Sequence, residues 1–304
     1  AMKLSHRIAL HTIILAIAAL TLTPFAMVLN NSFRTNSELY HSYFGVPKAF
    51  KDFVASYTID PAELPDQYDT VEQMRNESLD IATRGYRLAW KVLRSYMVNS
   101  IIVCGATAFG VVLLGSFSAY VLSRNQFWGR HMVFYYIIST MMFPGALTLV
   151  PSFLLVKELG LLNTHWAMIL PYIAGGQVFA IFVFKSFFDG LPGDLFDCAR
   201  IDGAGHVRLF WHIVLPLSKP ILSVVLVMTT LSAWNNFLWP FVTNPDGENH
   251  VMASGLFVLA TSAHSANMST LAAAYVISAI PLMIMFGYAT KPFIQGVTAG
   301  AFKA

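Results

Sequence analysis

Charge is missing from six long stretches of this chain, and that gap dictates most of what it can fold into. The stretches run roughly from Ile8 to Leu29, Ser100 to Leu122, Met132 to Val156, His165 to Phe184, Ile221 to Val242 and Leu271 to Thr290. Each is long enough to cross a bilayer, since about 20 helical residues span about 30 Å of hydrocarbon. The chain carries 19 Lys and Arg and 16 Asp and Glu, and none of them falls inside a stretch. The stretches make up more than two-fifths of the 304 residues, so an even spread would leave many charges there. The segregation has a physical cause, because a charge at the bilayer centre costs several kcal/mol. The expected fold is all-α: a polytopic membrane protein with six transmembrane helices, residues 1–304 forming one transmembrane domain.

Composition agrees. The chain is 56% apolar and 12% charged, where a soluble domain is about a quarter charged. A net charge of +3 is too small to point to nucleic acid. Cys104 and Cys198 cannot build a disulfide-rich fold or a zinc site by themselves.

Basic residues set the orientation. With the N-terminus in the cytoplasm, the inner segments hold Lys3, Arg7, Arg124, Arg130, Lys185, Arg200, Arg208, Lys219, Lys291 and Lys303. The two short outer loops hold only Lys157. Both ends are therefore read as cytoplasmic. The first stretch exceeds the usual 7–15 residues of a signal-peptide core and is read as a retained span. Ala1 ahead of Met2 is read as an expression remnant. The extracytoplasmic segment, 30–99, is the only sizeable soluble part. Pro47, Pro61 and Pro65 punctuate it, and Leu79 to Val98 has the spacing of a helix leading into the second span. It is either a surface-lying connector or a docking platform for an outer partner.

Catalytic patterns are missing. There is no phosphate-cradling G-x-x-x-x-G-K-[ST], no H-E-x-x-H and no G-x-S-x-G. The nine histidines are scattered, and the spans hold none of the Asp, Glu, Lys or Arg that intramembrane chemistry usually needs. The chain reads as a non-enzyme with no catalytic residue, no metal ligand set and no cofactor of its own.

The strongest pattern lies in the cytoplasmic loop, 185–220, which reads KSFFDGLPGDLFDCARIDGAGHVRLFWHIVLPLSKP. Gly190, Pro192 and Gly193 break the incoming helix. Asp194 is expected to cap one short helix and Asp202 the next, with Gly203 as the bend between them and Pro216 as a stop or kink. The loop resembles the signature of importer-type ABC transporter membrane subunits: Glu-Ala-Ala, three residues, Gly, nine residues, Ile-x-Leu-Pro. Asp197, Cys198 and Ala199 stand for the first three, Gly203 follows at the right spacing, and Ile213, Val214, Leu215 and Pro216 close it. Asp and Cys replace Glu and Ala. The resemblance implies a coupling helix seated in a groove of an ATPase subunit, with Asp197 offering its charge to a basic partner group.

A second resemblance narrows the class. SAWNNFLWP, Ser232 to Pro240, is similar to a segment of carbohydrate-importer permeases, and so is Met141 to Pro171 with its Leu-Gly-Leu-Leu-Asn-Thr turn. Asn99-Ser100 and the tail Val297 to Gly300 also match. The likeness is to maltose-transporter-type permeases, a build shared by an importer of acidic polysaccharide fragments such as alginate. It implies a type I ABC importer permease fold in a bacterial inner membrane. The implied partners are a second permease, two ATPase subunits carrying ATP and Mg, an extracytoplasmic substrate-binding protein, membrane lipid and an oligosaccharide substrate. Alternating access would move the substrate, with Pro144, Pro171, Pro216, Pro220 and Pro281 as possible hinges. The outer segment is longer than is usual in that family.

Tyr172 and Gln177, with Gly175 and Gly176, interrupt the fourth span; Trp234, Asn235, Asn236 and Trp239 fall in the outer half of the fifth. Aromatic faces and amides suit a sugar pathway. They suit helix–helix contacts and an interfacial aromatic belt equally well, and paired glycines suit a close helix crossing. Two other classes stay open: an ion-gradient transporter, which would want ionisable groups at mid-membrane, and a non-transporting scaffold.

Overall fold

The computed structural model describes residues 4–41, 44–60, 63–65, 67–261 and 267–301. Lys3, Pro61 and Lys303 lie outside the described residues, as do Ala1 and Met2. In chain order the helices are α1 (Leu4–Asn31), α2 (Asn36–His41), α3 (Lys48–Ala55), α4 (Val71–Arg124), α5 (Arg130–Met142), α6 (Gly145–Glu158) and α7 (Trp166–Asp189). They continue as α8 (Asp194–Ile201), α9 (His206–Leu217), α10 (Lys219–Asn235), α11 (Leu238–Thr243), α12 (Met252–Thr261) and α13 (Met268–Ala301). The fold is all-helical and polytopic, as the charge pattern requires. Four helices, α1, α4, α7 and α13, are long and apolar enough to cross a membrane unbroken.

Two of the six expected spans are not continuous. The third breaks between α5 and α6, which meet at 100°. Pro144 is the reason. A residue before proline is pushed out of the helical region, and Phe143 sits extended at φ −81°, ψ 122°. The fifth expected span stops at Asn235. Asn236 is extended, with ψ 111°, and its side chain accepts the Trp239 N–H at 3.2 Å. Asparagine side chains compete for backbone groups in this way, and Pro240 has no N–H to carry the helix on. The preceding bend, 80° between α9 and α10, falls at Ser218, two residues beyond the stop expected at Pro216. Pro220 lies in the first turn of the new helix, where its missing N–H costs nothing.

The chain divides into two compact units. The first comprises Ala1–Arg94 and Leu256–Ile280. The helix expected over Leu79–Val98 lies within α4, a 54-residue helix. Described residues of the preceding segment pack on it. Ser32 and Tyr86 hydroxyls pair at 2.6 Å, and Phe33 packs 5.0 Å from Phe50 and 5.2 Å from Tyr86. Tyr68 donates to Asp52 at 3.0 Å. Burial, then that carboxylate, pushes the Tyr68 phenol up to about 12.

The second unit comprises Ser95–Gly255 and Pro281–Ala304. Its axis is the crossing of α4 and α7, which small residues make close. A Cβ on Gly176 would stand 2.7 Å from Val111, and one on Gly115 would stand 2.7 Å from the Ala180 Cβ. Gly110 meets Ile173 in the same way. Small residues at such crossings let membrane helices gain packing that lipid does not otherwise drive.

Below the crossing, Tyr120, Phe184, Phe188, Phe196, Leu209, Phe210 and Val214 form one core. Above it, Val103, Val156, Ala167, Met168, Ile169, Trp239 and Val251 form another. A knot of amides closes that upper end. Asn163, left-handed at φ 58°, accepts on its carbonyl from Asn249 Nδ2 at 2.6 Å, and its N–H donates to the Thr243 carbonyl at 3.0 Å. Asn99 Nδ2 donates to the carbonyls of Glu248 and His250, each at 3.0 Å, while its Oδ1 lies 3.1 Å from His165 Nε2. Ser100 Oγ accepts the Met252 N–H at 2.6 Å. Burial lowers the affinity of His250 for a proton. The Leu-Gly-Leu-Leu-Asn-Thr turn and the Asn99-Ser100 pair singled out in the sequence are thus both parts of one fastening.

Candidate functional site

Helix α8 is the expected coupling helix, and its geometry explains the spacing of the signature. Gly203 is left-handed at φ 77°. The Ala204 N–H donates back to the Ala199 carbonyl at 2.9 Å, and the Gly203 N–H donates to Arg200 at 3.0 Å. That pair of bonds is a Schellman ending, which satisfies two of the last carbonyls and demands a residue free to be left-handed. The glycine must therefore follow the helix at a fixed distance.

Neither expected cap holds. Asp194 is the first helical residue and makes no capping bond, because Gly193 ahead of it already has helical backbone angles. Its charge still lies in the first turn beside that of Asp197, where the helix dipole favours anions. Asp202 ends α8 instead of starting α9, because the Schellman turn uses it as the last half-helical residue. Gly205 then leads into α9. Gly203→Ala forces a left-handed alanine, at a cost of about 1–2 kcal/mol. Faster hydrogen exchange at the amides of residues 203 and 204 is the expected result.

The signature divides into two faces. Asp197, Cys198 and Gly203 are exposed; Asp197 is 70% exposed and pairs with Arg200 at 3.3 Å. Ile201 is 86% exposed at the tip. Ala199, Ile213 and Leu215 turn inward and pack against the lower core. Pro216 is exposed near the end of α9. It cannot donate to the carbonyl of His212, and the backbone widens into a π-turn over Phe210–Val214 just before it.

Sequence reasoning missed the residue that fastens α8. Arg124, the last residue of α4, was read only as an orienting charge. Its Nη2 donates to the carbonyls of Phe188 and Leu191, the second at 2.7 Å. Its guanidinium lies 4.2 Å over the ring of Phe196, on α8. Beside it, Ser123 donates to Asp189 at 2.6 Å, and Lys185 reaches the same carboxylate at 2.7 Å. An arginine closing an apolar span was the available signal; its partners are too distant in sequence to infer.

Between α4, α7 and α10 lies a cavity of about 410 Å³, within the second unit. Thr107, Pro171, Tyr172, Gly175, Gly176, Phe179, Met228, Thr229, Ser232 and Ala233 line it. Of the expected pathway residues, Tyr172 is there with both glycines. Gln177, Trp234, Asn235, Asn236 and Trp239 are not among the lining residues. Gln177 faces Gly115 in the helix crossing. Trp234 is buried, Asn235 bonds back to the Leu231 carbonyl at 3.0 Å, and Asn236 serves the backbone of α11.

Trp239 has a specific structural task. Pro171 inside α7 has no N–H, so the carbonyl of Ala167, four residues back, loses its helical donor. Trp239 Nε1 supplies that bond at 2.9 Å. Such orphans in a membrane helix must be satisfied by neighbouring groups.

Comparison with known proteins fits these features together. Residues 111–295 match the family described as binding-protein-dependent transport system inner membrane component. The diacetylchitobiose uptake system permease protein NgcG of Streptomyces coelicolor is 30% identical over 296 residues, covering 96% of this chain and 88% of that one. The galactooligosaccharides transport system permease protein GanQ of Bacillus subtilis is 34% identical over 208 residues, 68% of this chain and 74% of that one. Among solved structures, a bacterial ABC transporter involved in the import of the acidic polysaccharide alginate shares the fold, with a TM-score of 0.72 at 22% identity. That match covers 96% of this chain and 99% of the other. With a family match over most of its spans and a near full-length relative, the chain belongs to the inner-membrane components of binding-protein-dependent ABC transport systems, as a non-enzymatic multi-pass permease subunit.

Proposed function

We propose that this permease builds, with a second permease, the pathway of an ATP-driven oligosaccharide importer, and that α8 couples it to the ATPase. The observation that carries the reading is the two-faced α8. Asp197, Cys198 and Ile201 point outward, ready for a partner, while the neighbouring Phe196 is locked into the core. Two ATPase subunits would hold ATP and Mg. Both chain ends would lie in the cytoplasm, and the folded 30–99 segment would meet the substrate-binding protein outside.

The substrate reading rests on the cavity. Its lining offers aromatic surface from Tyr172 and Phe179 and hydroxyls from Thr107, Thr229 and Ser232, with no acidic or basic side chain. That chemistry suits an uncharged sugar, since an unpaired charge moved into such surroundings costs several kcal/mol. The relatives named for diacetylchitobiose and galactooligosaccharides point the same way. In alternating access, ATPase closure would draw the coupling helices together and open the cavity outward. The bias between the two states must come from contacts that differ between them.

The test is purification of the tagged chain from its native membranes, then ATPase and uptake assays in liposomes with an oligosaccharide panel. A stoichiometric ATPase, stimulated by one sugar class together with a binding protein, is expected. Asp197→Ala should weaken ATPase attachment about thirtyfold, the ratio for about 2 kcal/mol when one partner of a docked charge pair is removed. Normal attachment of that variant would reject the coupling role. Loss of every ATPase partner in mild detergent would turn attention to ion-gradient transport, and attachment without uptake would indicate a scaffold.

A further inference from the structure

The final turn of α4 touches each segment of the coupling loop. Tyr120 Oη lies 3.4 Å from His206 Nδ1 at the start of α9, and Ser123 bonds Asp189 at the end of α7. Arg124 reaches two elements at once: it donates to the carbonyls of Phe188 and Leu191, and its guanidinium lies 4.2 Å over the ring of Phe196. The carbonyls at a helix C-terminus lack helical donors and carry the negative end of the dipole, so a cation is well placed there.

The covalent link from α7 to α8 is a poor transmitter. It runs through Gly190 and Gly193, and glycine is the most permissive backbone residue. Phe196, by contrast, is 2% exposed and next in sequence to the outward Asp197. A push on the outer face of α8 therefore reaches α4 and α7 through the Phe196 ring and the guanidinium that clasps it.

We infer that Arg124 is a positioning residue for energy coupling, fixing α8 to α4 and α7 so that ATPase movement becomes membrane-helix movement. The inference rests on the reading of α8 as the ATPase-docking helix. It also makes a chemical demand: a lysine ammonium can donate to both carbonyls but brings no planar group to cover the ring.

The experiment uses the complete transporter in liposomes and measures three quantities: ATPase subunits bound, ATP hydrolysed, and sugar moved per ATP. Arg124→Gln and Arg124→Lys should both retain the ATPase and hydrolyse ATP. Sugar moved per ATP should fall about tenfold, within the range over which residues between coupled sites tune coupling. Phe196→Leu keeps the arginine and removes the ring, and the same fall is expected; it stands in should an Arg124 variant fail to assemble. Uptake and hydrolysis falling together at an unchanged ratio would overturn the inference, as would full recovery with lysine. Failure of the underlying reading looks different: Asp197→Ala would then leave attachment untouched.

Discussion

Gly115→Val is expected to abolish the folded transporter subunit, leaving aggregate on size exclusion where the native chain runs as a single species. The added Cβ alone would stand 2.7 Å from the Ala180 Cβ and 3.3 Å from Gln177 Oε1, with Phe184 at 3.7 Å. No side chain can swing away, because the obstacle on α7 is a methyl fixed to the helix backbone. The helices would have to part, and every contact along the crossing would loosen with them. Overpacking a core costs about 1–3 kcal/mol, and here it strikes the contacts on which membrane helix association depends. Ala at 115 should be milder but clearly destabilising in a thermal shift assay. Gly105→Ala supplies the control. Nothing lies within 4 Å of its added methyl, and alanine favours helix over glycine by up to about 1 kcal/mol. A Gly115→Val protein as stable as the native one would refute the close crossing.

The second large effect concerns Trp239. Trp239→Phe keeps an aromatic ring but removes the only described side-chain donor to the Ala167 carbonyl. An unsatisfied buried acceptor costs about 1–3 kcal/mol, which should appear as a lowered thermal midpoint. The diagnosis can be tested by repair. Pro171→Ala restores an N–H four residues beyond Ala167, where a helix would place its own bond. In the Trp239→Phe background it should recover part of the loss, so that the two substitutions are less harmful together than their separate effects predict. Simple additivity would mean that Trp239 acts through packing alone.

These cases show where sequence reasoning reaches its limit. Charge segregation locates α1, α7 and the candidate span of α13, Met268–Thr290, to within about five residues at either end, because desolvating a charge is costly anywhere in a bilayer. The same argument cannot see breaks at Phe143 or Asn236, which depend on backbone geometry and leave hydropathy unchanged. The bend at Gly203 was legible because its bonds are local: the turn closes within six residues. Arg124 on Phe196 and Trp239 on Ala167 pair residues about seventy positions apart, and single-chain spacing carries no mark of either. Gly175 and Gly176 both line the cavity, yet only Gly176 also meets Val111 at the helix crossing. Only the phase of α7 tells them apart. Trp239 and Asn236 were read as candidate pathway residues for their chemistry, while their structural duties come from the missing N–H of Pro171 and from a free N–H in the first turn of α11.

The amide knot at the upper end has a consequence for the surroundings this protein works in. Its fastenings join asparagines, a serine, an imidazole and backbone carbonyls; Asp246 and Glu248 take part only through their main chains. None of these bonds is an ion pair, so mobile ions have little purchase on it. Screening by dissolved salt weakens exposed charge pairs, with a Debye length near 10 Å at 0.1 M, but leaves neutral amide bonds almost untouched. The upper end should therefore hold its shape from dilute medium to brine. Within the second unit, sensitivity to ionic strength then reports on the opposite end, where Asp197 and Arg200 stand exposed.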